Sequence, residues 1–163
     1  MTNNFVFEKN LAAKKIHVVR EFNAPIEKVW KAWTDPGLLE KWWGPKPWTA
    51  KTKSMDFTVG GAWLYAMEGP DGQKHWSCIK FTAIEEGSRF AADAIFSDEN
   101  GNAAPDAPVG HWDNKFVAMG DKTKVVVDLS FDDEATIKMM VEMGFEGGFT
   151  MGLNQLDELL AAE

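Results

Sequence analysis

The stretch FEGGFTMGLNQLDELLA, residues 145–161, decides the fold. Phe145, Phe149, Leu153, Leu156 and Leu160 recur at steps of three, four and seven, which on a helix of period 3.6 makes one apolar stripe, with Glu146, Thr150, Asn154 and Asp157 turned away. Such a stripe needs a cover. Only the strand-like segments upstream are apolar enough to supply it, so the sequence predicts a curved sheet closing over one long helix. Whether the space between them is filled or hollow then decides what the protein does. Gly148 and Gly152 border the stripe one turn apart. Glycine inside a helix costs about 0.5–1 kcal/mol relative to alanine, so side-chain volume is unwelcome at these two positions. Either a strand backbone packs closely there or a ligand occupies the space; the reading takes the first for Gly148 and the second for Gly152.

Upstream of this helix the periods segregate. Residues 1–15 show no clear period, and Asn3, Asn4 and Asn10 suggest a loosely held arm preceding one domain over 16–163. Ile16, Val18, Arg20 and Phe22 alternate as a strand. Asn23-Ala24-Pro25 then reads as a polar cap with a proline in the first helical turn, and Ile26, Val29, Trp30 and Trp33 give that helix its buried face. Asp35-Pro36 repeats the device for a second short helix carrying Leu38, Leu39, Trp42 and Trp43, which Gly44-Pro45 stops. Strand patterns follow over 48–57, over Trp63, Tyr65 and Met67, over 75–84, over Phe90 to Phe96, over 112–119 and over Val125 to Phe131. Gly60-Gly61 permits a bend or bulge, and Gly69-Pro70-Asp71-Gly72 is a turn in which Gly72 accepts positive φ. Asp132 or Asp133 caps a further helix, interrupted at Gly144. Strands and helices thus stand in blocks, which predicts an α+β fold: an antiparallel sheet of about six or seven strands around the terminal helix, with no parallel crossover.

Composition narrows the function classes. The 163 residues suit one domain able to bury about two thirds of its unfolded surface. One cysteine, Cys78, excludes an internal disulfide, and no charged-apolar leader precedes the body, so a reducing cytoplasm is the expected compartment. No apolar run approaches the roughly 20 residues of a membrane span. Seventeen basic residues against 25 acidic ones, net charge −8, argue against nucleic acid or an anionic membrane as partner. Eight tryptophans require a use, as core or as pocket wall.

The run Arg20-x-Phe22-x-Ala24-Pro25-x-x-x-Val29-Trp30-x-Ala32-Trp33-Thr34-Asp35-Pro36, followed by Leu39 and Trp42-Trp43-Gly44-Pro45, resembles the opening of the activator-of-heat-shock-ATPase homologue family, within the START-like, birch-pollen-allergen-like (SRPBCC) superfamily. Asp56 with Gly60-Gly61, the 69–72 turn, and Glu146-Gly147-Gly148-Phe149 followed by Leu153, Leu156 and Leu160 extend the resemblance over residues 16–160. It implies a helix-grip fold enclosing a deep cavity. Superfamily relatives bind lipids, sterols, hormones and polyketides, some cyclise polyketides, and the eukaryotic chaperone activators set such a domain beside another; the fold licenses a pocket rather than a chemistry. Family members usually carry arginine two places after the aspartate preceding the double glycine, where this chain has Thr58.

Catalytic motifs are missing: no H-E-x-x-H, G-x-S-x-G, phosphate-binding glycine loop or cysteine pair occurs. His17, His75 and His111 lie on separate segments, so neither a metal nor another cofactor is expected. Cys78, mid-strand among apolar neighbours, reads as a buried inert thiol. Trp30, Trp33 and Trp42 sit at helical spacing and read as core. Trp63, Tyr65, Phe81, Trp112 and Phe116 fall on strands that would line the concave face, as pocket wall or as plain core, and Phe149, Gly152, Leu153 and Leu156 would face them from the helix. Arg20 shares the inward parity of Ile16 and Val18 and needs an acid, Asp56 or Glu68; Arg20 and Asp56 are either a polar anchor for a ligand or a structural pair. The expected activity is binding of a small apolar or aromatic molecule between sheet and helix. A cyclase or dehydratase using the same cavity, and a chaperone-associated interaction protein, are the alternatives. Catalytic residues, ligand identity and oligomeric state stay open.

Overall fold

A computed structural model describes residues 5–105 and 107–162. Eight strands form one sheet: β1 (Phe5–Asn10), β2 (Lys15–Phe22), β3 (Thr49–Met55), β4 (Ala62–Glu68), β5 (Lys74–Glu85), β6 (Arg89–Ser97), β7 (Val109–Met119) and β8 (Lys122–Phe131). Helices α1 (Ile26–Thr34) and α2 (Pro36–Trp42) separate β2 from β3, and α3 (Glu134–Glu142) and α4 (Phe145–Ala162) end the chain. The spatial order is β1-β2-β8-β7-β6-β5-β4-β3, and every neighbouring pair is antiparallel. With α4 across the concave face this is the helix-grip α+β arrangement. Among the described residues no helix is long and apolar enough to cross a membrane.

The eighth strand is a correction. Residues 5–10 lie within the expected loose arm but form β1, an edge strand in register with β2 from Phe5 opposite Arg20 to Asn10 opposite Lys15. Its side chains explain why it docks. Phe7 packs on Phe145 with ring centroids 6.1 Å apart, and Lys9 pairs with Glu146 at 2.5 Å. The alternation Phe5, Phe7, Lys9 was there to be read, but the flanking asparagines obscured it.

Capping follows the sequence at two helices of three. The Asp35 carboxylate accepts from the N–H groups of Gly37 (2.8 Å) and Leu38 (3.2 Å) with Pro36 next in line, and Asp133 caps α3 through Thr136 N–H at 2.7 Å. At α1 the expected polar cap is absent: Pro25 itself is the N-cap and no side chain caps the helix. Asn23 stands two residues too early to reach the first turn. The entry is fixed instead by the buried Thr123 hydroxyl, which donates to the Ala24 carbonyl at 2.7 Å. Gly72 has φ +84°, as its turn demands, and at Gly61 a Cβ would stand 2.3 Å from the Asp56 carbonyl oxygen, so nothing larger fits.

The core fills the space under the C-terminal half of α4. Leu153, Leu156 and Leu160 meet Phe22, Val29 and Trp42, all within a few per cent of full burial. Here α4 docks on the end of α2, whose last carbonyls lack helical partners. Gln155, 9% exposed, supplies them: its Nε2 donates to the carbonyls of Trp42 (3.0 Å) and Gly44 (2.8 Å), and its Oε1 accepts from Lys46 N–H (2.9 Å). Gly152, one turn earlier, lets the helix approach, because a Cβ there would lie 3.2 Å from the Trp42 carbonyl oxygen.

Candidate ligand cavity

Under the N-terminal half of α4 the packing is different. Phe145 and Phe149 stack on each other (centroids 5.3 Å apart, planes 14° apart) and meet the edge of Trp112, and space is left between the sheet, α3, α4 and the loop after α2. A cavity of about 250 Å³ results. Its floor is the inward parity of successive strands: Tyr65 and Met67 on β4, Ser77 and Ile79 on β5, Ala94 and Phe96 on β6, Gly110 and Trp112 on β7, and Phe131 on β8. Thr136 and Met140 of α3, Phe145, Gly148 and Phe149 of α4, and Trp43 and Pro45 complete the wall. Small residues make the room. A Cβ on Gly110 would make ordinary contacts at 3.4–3.5 Å with Leu129, Phe131 and Trp112, and one on Gly148 would enter the space 3.7 Å from Pro45.

The wall is mostly apolar, and its hydroxyls are those of Tyr65, Ser77 and Thr136, the last donating to Asp133 at 2.7 Å. Tyr65 sits directly across the β4–β5 ladder from Ser77, and Trp43 Nε1 donates to the Tyr65 phenol oxygen at 3.0 Å. An indole N–H can only donate, so the phenol oxygen accepts and the phenol's own proton is directed elsewhere, to Ser77 or into the cavity. Burial raises the Tyr65 pKa above its ordinary value, against the opposing hydrogen bonds of Trp43 and Ser77. The phenol therefore stays protonated at neutral pH and serves as a neutral donor. No charged side chain belongs to the described lining.

Of the residues singled out from the sequence, the structure brings Tyr65, Trp112 and Phe149 together on this wall. Trp63 and Phe81 share their parity but lie deeper, around a second chamber of about 30 Å³. Phe116 is core, edge-on to Trp30 (5.1 Å) and Trp33 (5.7 Å), and Leu153 and Leu156 are core as well. Parity along a strand names the face but not the depth. The two glycines exchange their expected roles: Gly152 abuts the α2 backbone and Gly148 borders the cavity.

Neither expected polar anchor reaches the cavity. Arg20 is held beside the far end of α4, donating to Asn154 Oδ1 at 2.9 Å with Asp157 at 3.7 Å, and its guanidinium lies over the rings of Phe5 and Phe22. Its acid is thus Asp157, rather than Asp56 or Glu68. Burial pulls its pKa below the ordinary value while Asp157 opposes the shift. Asp56 is exposed in the turn after β3, where its carboxylate accepts from the Thr58 hydroxyl at 3.0 Å. The histidines remain apart: His17 pairs with Asp128, His75 lies against Trp48, and His111 bridges Asp93 and Asp132. Cys78 is buried, and burial raises its pKa despite Lys80.

Sequence reasoning missed Trp43, Ser77, Met140 and Phe145 as wall residues, and Asn114 altogether. Asn114 could have been found. It is the polar residue at the inward parity of β7, between Trp112 and Phe116, and only 2% of it is exposed.

Known proteins place this geometry. The model of the activator of Hsp90 ATPase homolog 1-like protein family matches residues 23–161. A protein of Arthrobacter aurescens solved by solution NMR is similar at 35% identity, with 97% of this chain and 92% of that one covered and a TM-score of 0.90. A crystal structure from Mycobacterium smegmatis is similar at 28% identity over 98% of this chain and 99% of that one, TM-score 0.87. At 18% identity and a TM-score of 0.71, an AHSA1 protein of Silicibacter pomeroyi shares the fold over 91% of this chain and 98% of its own. No curated protein matches. With its family match covering most of the chain, its helix-grip sheet and its cavity under the terminal helix, the protein belongs to the family of activator of Hsp90 ATPase homolog 1-like proteins.

Proposed function

We propose that the protein binds a small, neutral, apolar or aromatic molecule in the cavity between the sheet and α4. The observation that carries this reading is the wall itself: about 250 Å³ lined mainly by aromatic and aliphatic side chains, with the buried Tyr65 hydroxyl among them and no charged side chain. A neutral lining disfavours a carboxylate or an amine, which would lose its hydration without a partner. The Tyr65 donor suits a carbonyl, ether or hydroxyl oxygen on the ligand. An enzyme of the cyclase or dehydratase kind would need a general base, and the only titratable side chain of the described lining is Tyr65, whose raised pKa makes it a donor. We place the protein in a reducing cytoplasm on the strength of its lone, buried Cys78.

Titration with Nile red, a neutral environment-sensitive dye, tests the reading. Micromolar binding that quenches tryptophan emission and persists in chelator is expected, since Trp43 and Trp112 line the wall. A folded protein whose tryptophan emission responds to neither the dye nor a mixture of neutral aromatic compounds would overturn it.

A further inference from the structure

Behind the main cavity lies the second chamber, about 30 Å³. Trp43, Ile79 and Trp112 line both spaces, so the two adjoin at these three side chains. Two buried polar atoms of its lining residues are unpaired. The Trp33 indole N–H and the Asn114 amide oxygen are both buried, in residues only 3% and 2% exposed, and neither has a hydrogen-bond partner among the described residues. Trp33 and Asn114 both line this chamber. Buried polar groups in native proteins are nearly always paired, and unpaired ones call for an explanation.

The two orphans complement each other. One is an obligate donor and the other an acceptor, so a group within reach of both that accepts from Trp33 and donates to Asn114 would satisfy the two together, and a hydroxyl has that capacity. The volume exceeds the roughly 10–15 Å³ that one water-sized group needs, so the chamber admits one such oxygen. A carboxylate lacks the proton that Asn114 Oδ1 needs, and no cation lines the chamber to receive it. We propose that the inner chamber is a subsite for one hydroxyl of the ligand, so that the molecule bound is an elongated apolar or aromatic alcohol or phenol. Its body fills the main cavity and its hydroxyl passes between Trp43, Ile79 and Trp112 to reach Trp33 and Asn114. This rests on the proposed binding function and adds to it a second point of polar recognition. A site built to pair a hydroxyl rejects the analogue lacking one more strongly than an apolar wall can.

The test compares biphenyl with 4-phenylphenol as competitors for bound Nile red. Partitioning alone favours biphenyl, so a preference for the phenol has to come from polar contacts. The phenol is expected to bind the wild-type protein at least tenfold more tightly and to move the Trp33 indole N–H resonance, with biphenyl leaving that resonance in place. In Asn114→Leu the advantage is expected to vanish while biphenyl still binds. That variant also separates the inner subsite from Tyr65 and Ser77, which it leaves intact. Should Asn114→Leu fail to fold, the Trp33 resonance of the wild-type protein decides alone. Absence of binding by the dye and by both competitors would remove the cavity reading itself. Dye binding with no preference for the phenol, or with a preference that leaves the Trp33 resonance unmoved or survives Asn114→Leu, overturns the subsite and leaves the cavity reading standing.

Discussion

Substituting methionine at Gly148 and, separately, at Gly152 separates cavity from core within one helix. At Gly152 the new Cβ would lie 3.2 Å from the Trp42 carbonyl oxygen and 3.6 Å from that of Trp43, both backbone atoms. Retreat is blocked, because Trp42 is fully buried and its carbonyl is tied to Gln155. Overpacking of this kind costs about 1–3 kcal/mol, against a gain of about 0.5–1 kcal/mol from replacing a helical glycine. A net loss of up to about 2.5 kcal/mol follows, with dye affinity unchanged in the folded protein. At Gly148 the nearest atom is Pro45 Cγ at 3.7 Å, an ordinary contact, and the rest of the side chain enters the cavity. Stability should hold or rise by about 0.5–1 kcal/mol, while Nile red affinity falls at least tenfold, about 1.4 kcal/mol. Urea melts beside dye titrations measure both quantities. If Gly152→Met keeps wild-type stability and loses binding, the close-packing account of that glycine is wrong, and the glycine assignment expected from the sequence returns.

Three further outcomes follow from contacts already described. Gln155→Leu strands two carbonyls and one N–H at the end of α2, and should destabilise the protein by about 2–4 kcal/mol in a denaturant melt. Tyr65→Phe deprives Trp43 Nε1 of its acceptor and should lower stability by about 1–2 kcal/mol; it should also weaken ketone-bearing probes more than their hydrocarbon analogues in competition with dye. His111 has its pKa raised by its hydrogen bond to Asp93, and by Asp132, while desolvation opposes them. Its stabilising contribution is thus complete below the unfolded value of about 6.5 and is lost as pH rises through the higher folded value. His111→Gln should flatten the pH dependence of Tm above about pH 6.5; an unchanged profile would mean that the bridge contributes nothing in water.

The fold was legible because its signals are periodic and local. The five apolar residues of α4, the cap-then-proline at Asp35-Pro36 and the blocks of alternation each identify an element without knowledge of its neighbours. What escaped depends on contacts between elements distant in sequence. Arg20 reads as an inward charge in need of an acid, and that much is right, but its partner lies on α4, 137 residues further on, as Asp157. Trp63 and Tyr65 stack at 4.2 Å on one strand face, yet Trp63 belongs to the inner chamber and Tyr65 to the cavity, a distinction set by where α1 and Trp43 come to rest. For the same reason Gly148 and Gly152 were exchanged: the α2 terminus, which covers only one of them, approaches from more than a hundred residues away.

The cover over α4 changes along its length, and this is what allows a hollow to exist in so small a domain. If dry, a cavity of about 250 Å³ would forfeit on the order of 6 kcal/mol of packing at about 24 cal/mol per Å³, an upper bound for a mouth open to water. That is comparable with the whole net stability of an ordinary domain, about 5–15 kcal/mol. The packed half must therefore carry the fold by itself, and the side chains there are suited to it: Leu153, Leu156 and Trp42 are essentially inaccessible, and Gln155 leaves no exposed helix end. Trp43 stands at the boundary, 5.3 Å from Trp42 and 6.1 Å from Trp33 on the packed side, and 5.8 Å from Trp112 and 6.1 Å from Phe149 on the hollow one. Changes beyond Trp43 toward Leu160 should accordingly be felt as stability and changes toward Phe145 as binding, with Trp43 the position where the two cannot be separated.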